Sequence, residues 1–308
     1  MSNKRARFGN ALEKMIWGIK TVGIFRVMRG LVRYARYRVV RPESVQIHLS
    51  RINAQLKFNY PSQLVPALVL FGDLIDPEYA FLQAAARPSW TFLDVGAAIG
   101  QFSIAAASGG GMIQAFEPSD ENVRSLIRNV ELNGLEKRVS VHRLAFSDQS
   151  GSAQFVTSPN TYMSHLTGQD AEESGRENVQ ITTLSLWCTE RLISNVSVLK
   201  INTAGSEPLV LEGGDSFLKA AGADVLILLL GASSVPYYER LRAYGYHFFF
   251  FHPIHSTLHE VRTLDENALL EARPWPARHV IAIHVGAIER CTGGCRIVDT
   301  RFLPTSVG

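Results

Sequence analysis

The segment Thr91-Phe-Leu-Asp-Val-Gly-Ala-Ala-Ile-Gly-Gln-Phe102 constrains this chain more than any other. An apolar run breaks at Gly96, a second glycine follows at Gly100, and apolar residues then resume. That pattern is a buried strand, a tight turn and the start of a helix. A second apolar run, Met112 to Phe116, ends on Glu117. Strand, Gly-x-x-x-Gly turn, helix, strand and acid together build a pocket for an adenosine-containing ligand. The glycines allow close backbone approach, and the acid accepts hydrogen bonds from ribose hydroxyls.

Downstream, the alternation continues. Strands are expected over 90–95, 112–116, 139–144, 179–184, 196–202, 225–230, 246–251 and 279–284, with helices between most of them. Such alternation predicts an α/β fold with a mostly parallel sheet covered by helices on both faces. A composition 46% hydrophobic and 19% charged supplies enough apolar residues for a sizeable core. The divisions expected are a basic arm over 1–41, an entry region over 42–88, the ligand-binding domain over 89–290 and a tail over 291–308. In the entry region, Asp76 and Pro77 look like the cap and first residue of a short helix.

Charge is distributed unevenly. Residues 1–41 hold eleven Lys and Arg against one acid, Glu13, whereas the remainder holds 20 bases against 27 acids. At helical period Arg26, Arg29, Arg33 and Arg36 share one face, and Trp17, Ile24, Met28, Leu31 and Ala35 the opposite one. This is the pattern of a helix lying on an anionic membrane surface. A helix packed on its own domain with a solvated basic side, or a transit peptide, would give a similar pattern. The acidic body argues against a nucleic-acid partner. No apolar run is long enough to span a bilayer, and Lys20 and Arg26 interrupt the early apolar residues, so no signal peptide is expected. Three cysteines, the first at position 188, point to a reducing, cytoplasmic setting.

Asp94 ends the first strand of the domain, where the ligand crevice of an open α/β sheet lies. It either holds the turn through backbone N–H groups or meets a cationic ligand group. The glycine spacing is not Gly-x-Gly-x-x-Gly, and an acid at the strand tip would repel a pyrophosphate. A nicotinamide oxidoreductase is therefore disfavoured, and a sulfonium cofactor suits the site better.

Asp94-Val-Gly-Ala-Ala-Ile-Gly-Gln-Phe-Ser103, Ala115-Phe-Glu-Pro118, the 129–134 segment, Leu144-Ala-Phe-Ser-Asp148 with Gly151, and Leu199-Lys-Ile-Asn-Thr-Ala-Gly-Ser-Glu207 occur in that order. Together they resemble the FkbM family of S-adenosylmethionine-dependent methyltransferases over about residues 60 to 285. The resemblance implies a Rossmann-like class I methyltransferase fold with a seven-stranded sheet. It also implies O-methylation of a saccharide or related metabolite. By resemblance, Asp94, Gly96, Ala97, Ile99, Gly100 and Phe102 hold the methionine end of S-adenosylmethionine. Glu117 and Pro118 hold its ribose, and Ala145 and Phe146 lie beside the adenine. Acceptor specificity is expected from loops 157–178 and 252–278.

The departures fall on acids. Where the family has Lys-Ile-Asp-Val-Glu-Gly-x-Glu, this chain has Asn202 and Ala204. Ser185 and Gly231 stand at two further positions usually acidic, and Ala98 replaces an Asn. A base or a carboxylate-held metal assists methyl transfer to a hydroxyl, so Lys200, Asn202 and Glu207 are the remaining catalytic candidates. Glu207 also reads as a first-turn helix acid. An S-adenosylmethionine-binding protein that has lost turnover and partners another enzyme is the alternative. No metal site is expected: Cys291 and Cys295 with His279 and His284 match no zinc spacing. His247, His252, His255 and His259 read as loop and strand residues, one of which could serve as a base. The run from Phe248 to Phe251 reads as a buried strand.

Overall fold

A computed structural model describes residues 16–62, 64–85, 87–156, 165–166, 176–271, 275, 277–292 and 294–299. Helical residues 16–22 lead into α1 (Ile24–Val40). The entry region folds as a hairpin of β1 (Ser44–Leu49) and β2 (Ala54–Asn59), followed by α2 (Leu64–Phe71) and α3 (Glu78–Ala85). The domain continues through β3 (Thr91–Val95), α4 (Gln101–Ser108), β4 (Met112–Phe116), α5 (Asp120–Leu132) and β5 (Val139–His142). Strands β6 (Ala145–Phe146), β7 (Gly151–Val156), β8 (His165–Leu166) and β9 (Arg176–Thr182) form a small separate sheet. Then come α6 (Leu184–Glu190), β10 (Val196–Ile201), α7 (Glu207–Gly213), α8 (Asp215–Lys219), β11 (Ala223–Leu229) and α9 (Val235–Ala243). The described chain closes with β12 (Tyr246–His252), β13 (Thr257–Val261), β14 (His279–His284), α10 (Ile288–Cys291) and β15 (Arg296–Asp299).

The main sheet runs β15-β13-β12-β14-β11-β10-β3-β4-β5. Strands β5, β4, β3, β10 and β11 are parallel, whereas β14 pairs antiparallel with both β11 and β12. These strands and β12 are seven of the eight expected, the one over 179–184 lying instead in the small sheet as β9, and β13 and β15 extend the main sheet beyond β12. The chain leaves β3 toward β4 on one side and returns to β10 on the other. The tips of β3 and β10 therefore flank the switch point where an open α/β sheet binds ligand. The four phenylalanines 248–251 are all buried, alternating between the two apolar clusters on opposite faces of the sheet.

The entry hairpin has a signature that periodicity alone does carry. Val45, Ile47 and Leu49 alternate with polar residues, as do Ala54, Leu56 and Phe58, and all six are buried. Asn129 of α5 fastens it to the domain, donating to the Ile99 carbonyl (2.9 Å) and accepting from the Lys57 amide (2.7 Å). The buried face of α5 accordingly carries Asn122 and Asn129 with Leu126 and Val130, while Ile127 is exposed. Ser119 caps this helix, accepting from the Asn122 amide, and the chain turns out of it at Gly134 with φ +65°.

Helix α1 packs on α2 through Val27 and Gly30, whose missing side chain admits the Val69 carbonyl; a Cβ there would lie 2.7 Å from it. The packing face is thus not the expected stripe. Met28 and Leu31 of that stripe are exposed.

One buried charge pair sits where the sheet meets the crevice. Lys200 of β10 is the register partner of Asp94 of β3, so both side chains leave the same face side by side. The ammonium lies 2.8 Å from the Asp94 carboxylate, with both groups almost wholly buried. Lys200 also donates to the carbonyl of Gly96 (2.6 Å), and Ser103 Oγ donates to Asp94 (2.6 Å). Removing one partner strands the other's charge in the interior, and Asp94→Ala or Lys200→Met should each cost about 3–5 kcal/mol. The double change Asp94→Leu/Lys200→Met should cost less than the two singles summed, measured by urea unfolding. Strict additivity would show that the pair is not coupled.

Candidate functional site

A cavity of about 440 Å³ opens at the carboxyl ends of β3, β4, β10 and β11. Its volume falls in the range of small-ligand sites. Each wall is set by a local device.

The turn after β3 forms the first wall. Gly96 and Gly100 have φ of +75° and +95°. A Cβ on Gly96 would lie 1.9 Å from the Asn202 carbonyl, and one on Gly100 would lie 2.3 Å from a Leu126 methyl. The glycines therefore admit the neighbouring β10 turn and α5, a closer demand than room for a ligand. Gly96 and Ala97 both donate their amides to the Phe116 carbonyl, binding this turn to the end of β4. Ala98 also holds a left-handed conformation (φ +50°), which an Asn adopts more readily.

Glu117, just past β4, forms the second wall. Its carboxylate accepts from the amides of Ala98 (2.9 Å) and Ser119 (3.1 Å) and from the Asn122 side chain (3.2 Å). Burial is the main influence on the group and raises its pKa, against these hydrogen bonds, which lower it. A carboxylate has about four acceptor positions, so with three filled it retains capacity toward the cavity it lines. Beside it, Leu144, Ala145, Phe146, Phe155 and Pro118 make an apolar slot. Phe146 is backed by Phe116 and Trp187, with ring centroids 4.7 and 6.1 Å away.

The third wall is the turn after β10. Asn202 donates its amide to Val95, and its side-chain nitrogen lies 3.2 Å from His279 Nε2. Glu207 is buried, and its carboxylate accepts from the amides of Thr203 (2.6 Å) and Gly205 (2.9 Å). The fourth wall brings in residues from outside the expected set. Asp76 and Tyr79 come from the start of α3, and Arg278 from just before β14. Arg278 donates to Asp76 (3.1 Å), as does the Tyr79 hydroxyl (3.1 Å).

The expected site residues thus fall into two groups. Gly96, Ala97, Phe102, Glu117, Pro118, Ala145, Phe146, Lys200, Asn202 and Glu207 line the cavity. Asp94, Ile99 and Gly100 lie behind its wall, and Asp94 is turned to Lys200 and Ser103. Of the three catalytic candidates, Lys200 is committed to Asp94, Glu207 braces its own loop, and Asn202 is coupled to His279. Gly231 lines the cavity with open space where a side chain would stand. Asp76 takes part in the wall instead of only starting a helix, and no local pattern in the sequence marks it for that place. Loop 157–178 lies largely outside the described residues. From 252–278 the cavity takes Arg278.

The histidine run gathers elsewhere. His252 stacks on His255 and meets Trp275 edge-on, and burial pushes its pKa down to about 4. Neither these histidines nor His247 lines the cavity. Cys291 and Cys295 are buried free thiols, with burial raising Cys291 to about 11. His279 and His284 stand at opposite ends of β14, so these four residues share no site.

The lining fits S-adenosylmethionine: an apolar slot for a base, a carboxylate with spare acceptor capacity for ribose, and a backbone-walled end beyond Gly96. A comparison with known protein families agrees with that assignment. The model of the methyltransferase FkbM domain matches residues 94–268. No curated protein sequence matches the chain. Solved structures that it resembles include a SAM-dependent methyltransferase from Agrobacterium tumefaciens, at 12% identity and TM-score 0.44, covering 78% of this chain and 69% of that one. Another is P. horikoshii TYW2 in complex with MeSAdo, at 13% identity and TM-score 0.40, covering 83% and 81%. A third is the METTL16 methyltransferase domain, at 15% identity and TM-score 0.39; 67% of this chain matches 64% of that domain's length. With the domain match spanning more than half of its length, the chain belongs to the FkbM methyltransferase family, whose cofactor is S-adenosylmethionine.

Proposed function

We propose that the protein transfers the methyl group of S-adenosylmethionine to an oxygen of a saccharide or related metabolite. The observation that supports this reading is the cavity at the β3–β10 switch point, where Glu117 stands opposite the Asn202 turn. The cofactor supplies an electrophilic methyl on sulfur. The protein's part is to hold the acceptor oxygen in line with that carbon, exclude water and accept the hydroxyl proton. Asp76, which lines the cavity, is the carboxylate placed to take it. The family's acid positions offer only Asn202, Ala204 and Gly231. The other reading, a cofactor-binding protein without turnover, draws support from the commitment of Lys200 and Glu207 to structural bonds.

We propose further that α1 rests on an anionic membrane. Its body-facing residues are Val27 and Gly30, yet Phe25 is 89%, Val32 70% and Val39 83% exposed, on a single outward stripe. Arg29 and Arg36 flank that stripe on one side. A groove between α1 and β1, lined by Phe25, Arg26, Arg29, Arg33 and His48, adds positive charge beside the apolar residues. Apolar insertion with flanking arginines suits a surface of anionic headgroups. No helix among the described residues is long and apolar enough to cross a membrane.

Titration calorimetry should register S-adenosylmethionine or S-adenosylhomocysteine binding to the full chain, weakened at least about tenfold by Glu117→Ala through loss of the ribose acceptor. Absence of heat with folded protein would overturn the cofactor assignment. Affinity should also fall on acidification, and at higher pH than an ordinary glutamate would give. Burial raises the Glu117 pKa, so its charged acceptor form is lost sooner as pH drops. In sedimentation with vesicles, the protein should follow phosphatidylglycerol-containing membranes and not pure phosphatidylcholine, and Phe25→Glu/Val32→Glu should release it. Equal recovery with both compositions, or no effect of the substitutions, would reject the membrane proposal.

A further inference from the structure

The buried corner behind Asn202 holds three side chains, of which the methyltransferase reading uses only Asp76. Asp76 precedes α3, Glu78 is its first residue, and His279 begins β14. All three are buried. His279 Nδ1 lies 3.4 Å from Glu78 Oε2 and 3.7 Å from Asp76 Oδ1. One donor atom from each falls within 4.8 Å of the other two. Neither Glu78 Oε2 nor His279 Nδ1 makes a hydrogen bond, although both are shielded from water. A buried imidazole nitrogen and a buried carboxylate oxygen that face each other without a hydrogen bond are costly to keep. A cation between them would satisfy both.

We infer that Asp76, Glu78 and His279 bind a divalent transition-metal ion. Two ligands at about 2.1 Å from a tetrahedral ion stand about 3.4 Å apart, close to the observed spacings. One imidazole and two carboxylates suit zinc or manganese better than calcium, which wants six or more oxygens. The neighbouring side chain fits as well. Asn202 meets His279 Nε2, and an amide's nitrogen and oxygen exchange places by rotation. With its oxygen turned to Nε2–H, Asn202 fixes the tautomer that leaves the Nδ1 lone pair for the ion, as outer partners of metal-bound histidines do. Arg278 occupies one side of Asp76 Oδ1, and a carboxylate oxygen has a second lone pair for the metal. Asp76 and Asn202 also line the cavity, so an open coordination position would face the acceptor. The use of that position in methyl transfer rests on the proposed function; the binding of the ion does not.

The test uses the full chain, stripped with chelator and desalted, and titrated calorimetrically with manganese and with zinc. Calcium serves as the hard-cation control, and a parallel S-adenosylmethionine titration is run on the same sample. One equivalent of manganese or zinc should bind, with an affinity at least about tenfold above calcium's. Glu78→Gln and His279→Gln should each reduce that affinity at least about a hundredfold. Asn202→Leu should reduce it about tenfold or more, as the loss of an outer partner does. Should the Glu78 or His279 variant fail to fold, X-ray absorption of the zinc-loaded parent decides. One nitrogen and two protein oxygens near 2.0–2.2 Å support the site, and sulfur ligation overturns it. No stoichiometric metal in folded parent protein, or unchanged affinity in folded Glu78→Gln and His279→Gln, also overturns it. Cofactor binding without metal would sink the metal site and leave the methyltransferase assignment standing.

Discussion

The crevice depends on the Asp94–Lys200 pair. Two parallel strands place a carboxylate and an ammonium side by side in register, and burial removes the water that would screen them. Lys200 then reaches past Asp94 to the Gly96 carbonyl, so the charge pair also clamps the start of the turn. On the far side, the Asn202 carbonyl presses into the space that a Gly96 side chain would fill. The two loops that wall the cavity are thus fixed to each other before any ligand arrives, which is what precise placement of a reacting group requires.

Two further carboxylates extend that frame. Glu117 joins the β3 turn to the head of α5, and Glu207 closes the β10 turn on itself. Both acids sit on the cavity, and each gives two acceptor positions to backbone amides. Their surroundings differ. Glu117 keeps an acceptor position beside the apolar slot. Glu207 stands in the turn after β10 and braces it. Spare acceptor capacity alone does not distinguish the two acids; the wall each occupies does.

Much of this was legible in the sequence, and the limits have physical causes. The strands around 91–95, 112–116 and 225–229 announce themselves because sheet interiors need mainly apolar runs, which Asp94 and Gln114 only briefly interrupt. The Gly96–Gly100 turn and the place of Glu117 at the crevice were legible because few residues serve a positive φ, and an acid that closes an apolar strand stands where an open α/β sheet has its crevice. The role of Asp94 was not, because its partner is 106 positions away and becomes a neighbour only through the crossover that sets β10 beside β3. The true packing face of α1 was hidden for a related reason. Val27 and Gly30 are chosen by the shape of α2, and the larger apolar residues that dominate a helical wheel point outward. Asp76, Glu78 and His279 were invisible as a group, since no local spacing links the entry helix to β14, the antiparallel strand beside β11.

That hidden group changes the meaning of the neutral positions. Judged along the sequence, Asn202, Ala204 and Gly231 look like losses, because acids at those strand ends would face the acceptor. In three dimensions the corner next to Asn202 is crowded with polar groups: two carboxylates, the His279 ring and the Arg278 guanidinium. A further acid at 202 would add a third negative charge within reach of His279, in a region of low dielectric where like charges repel strongly. An amide there makes the contact to His279 without that cost. Neutrality at 202 is therefore what the surrounding charges favour, and it is compatible with a working site whose acids come from α3.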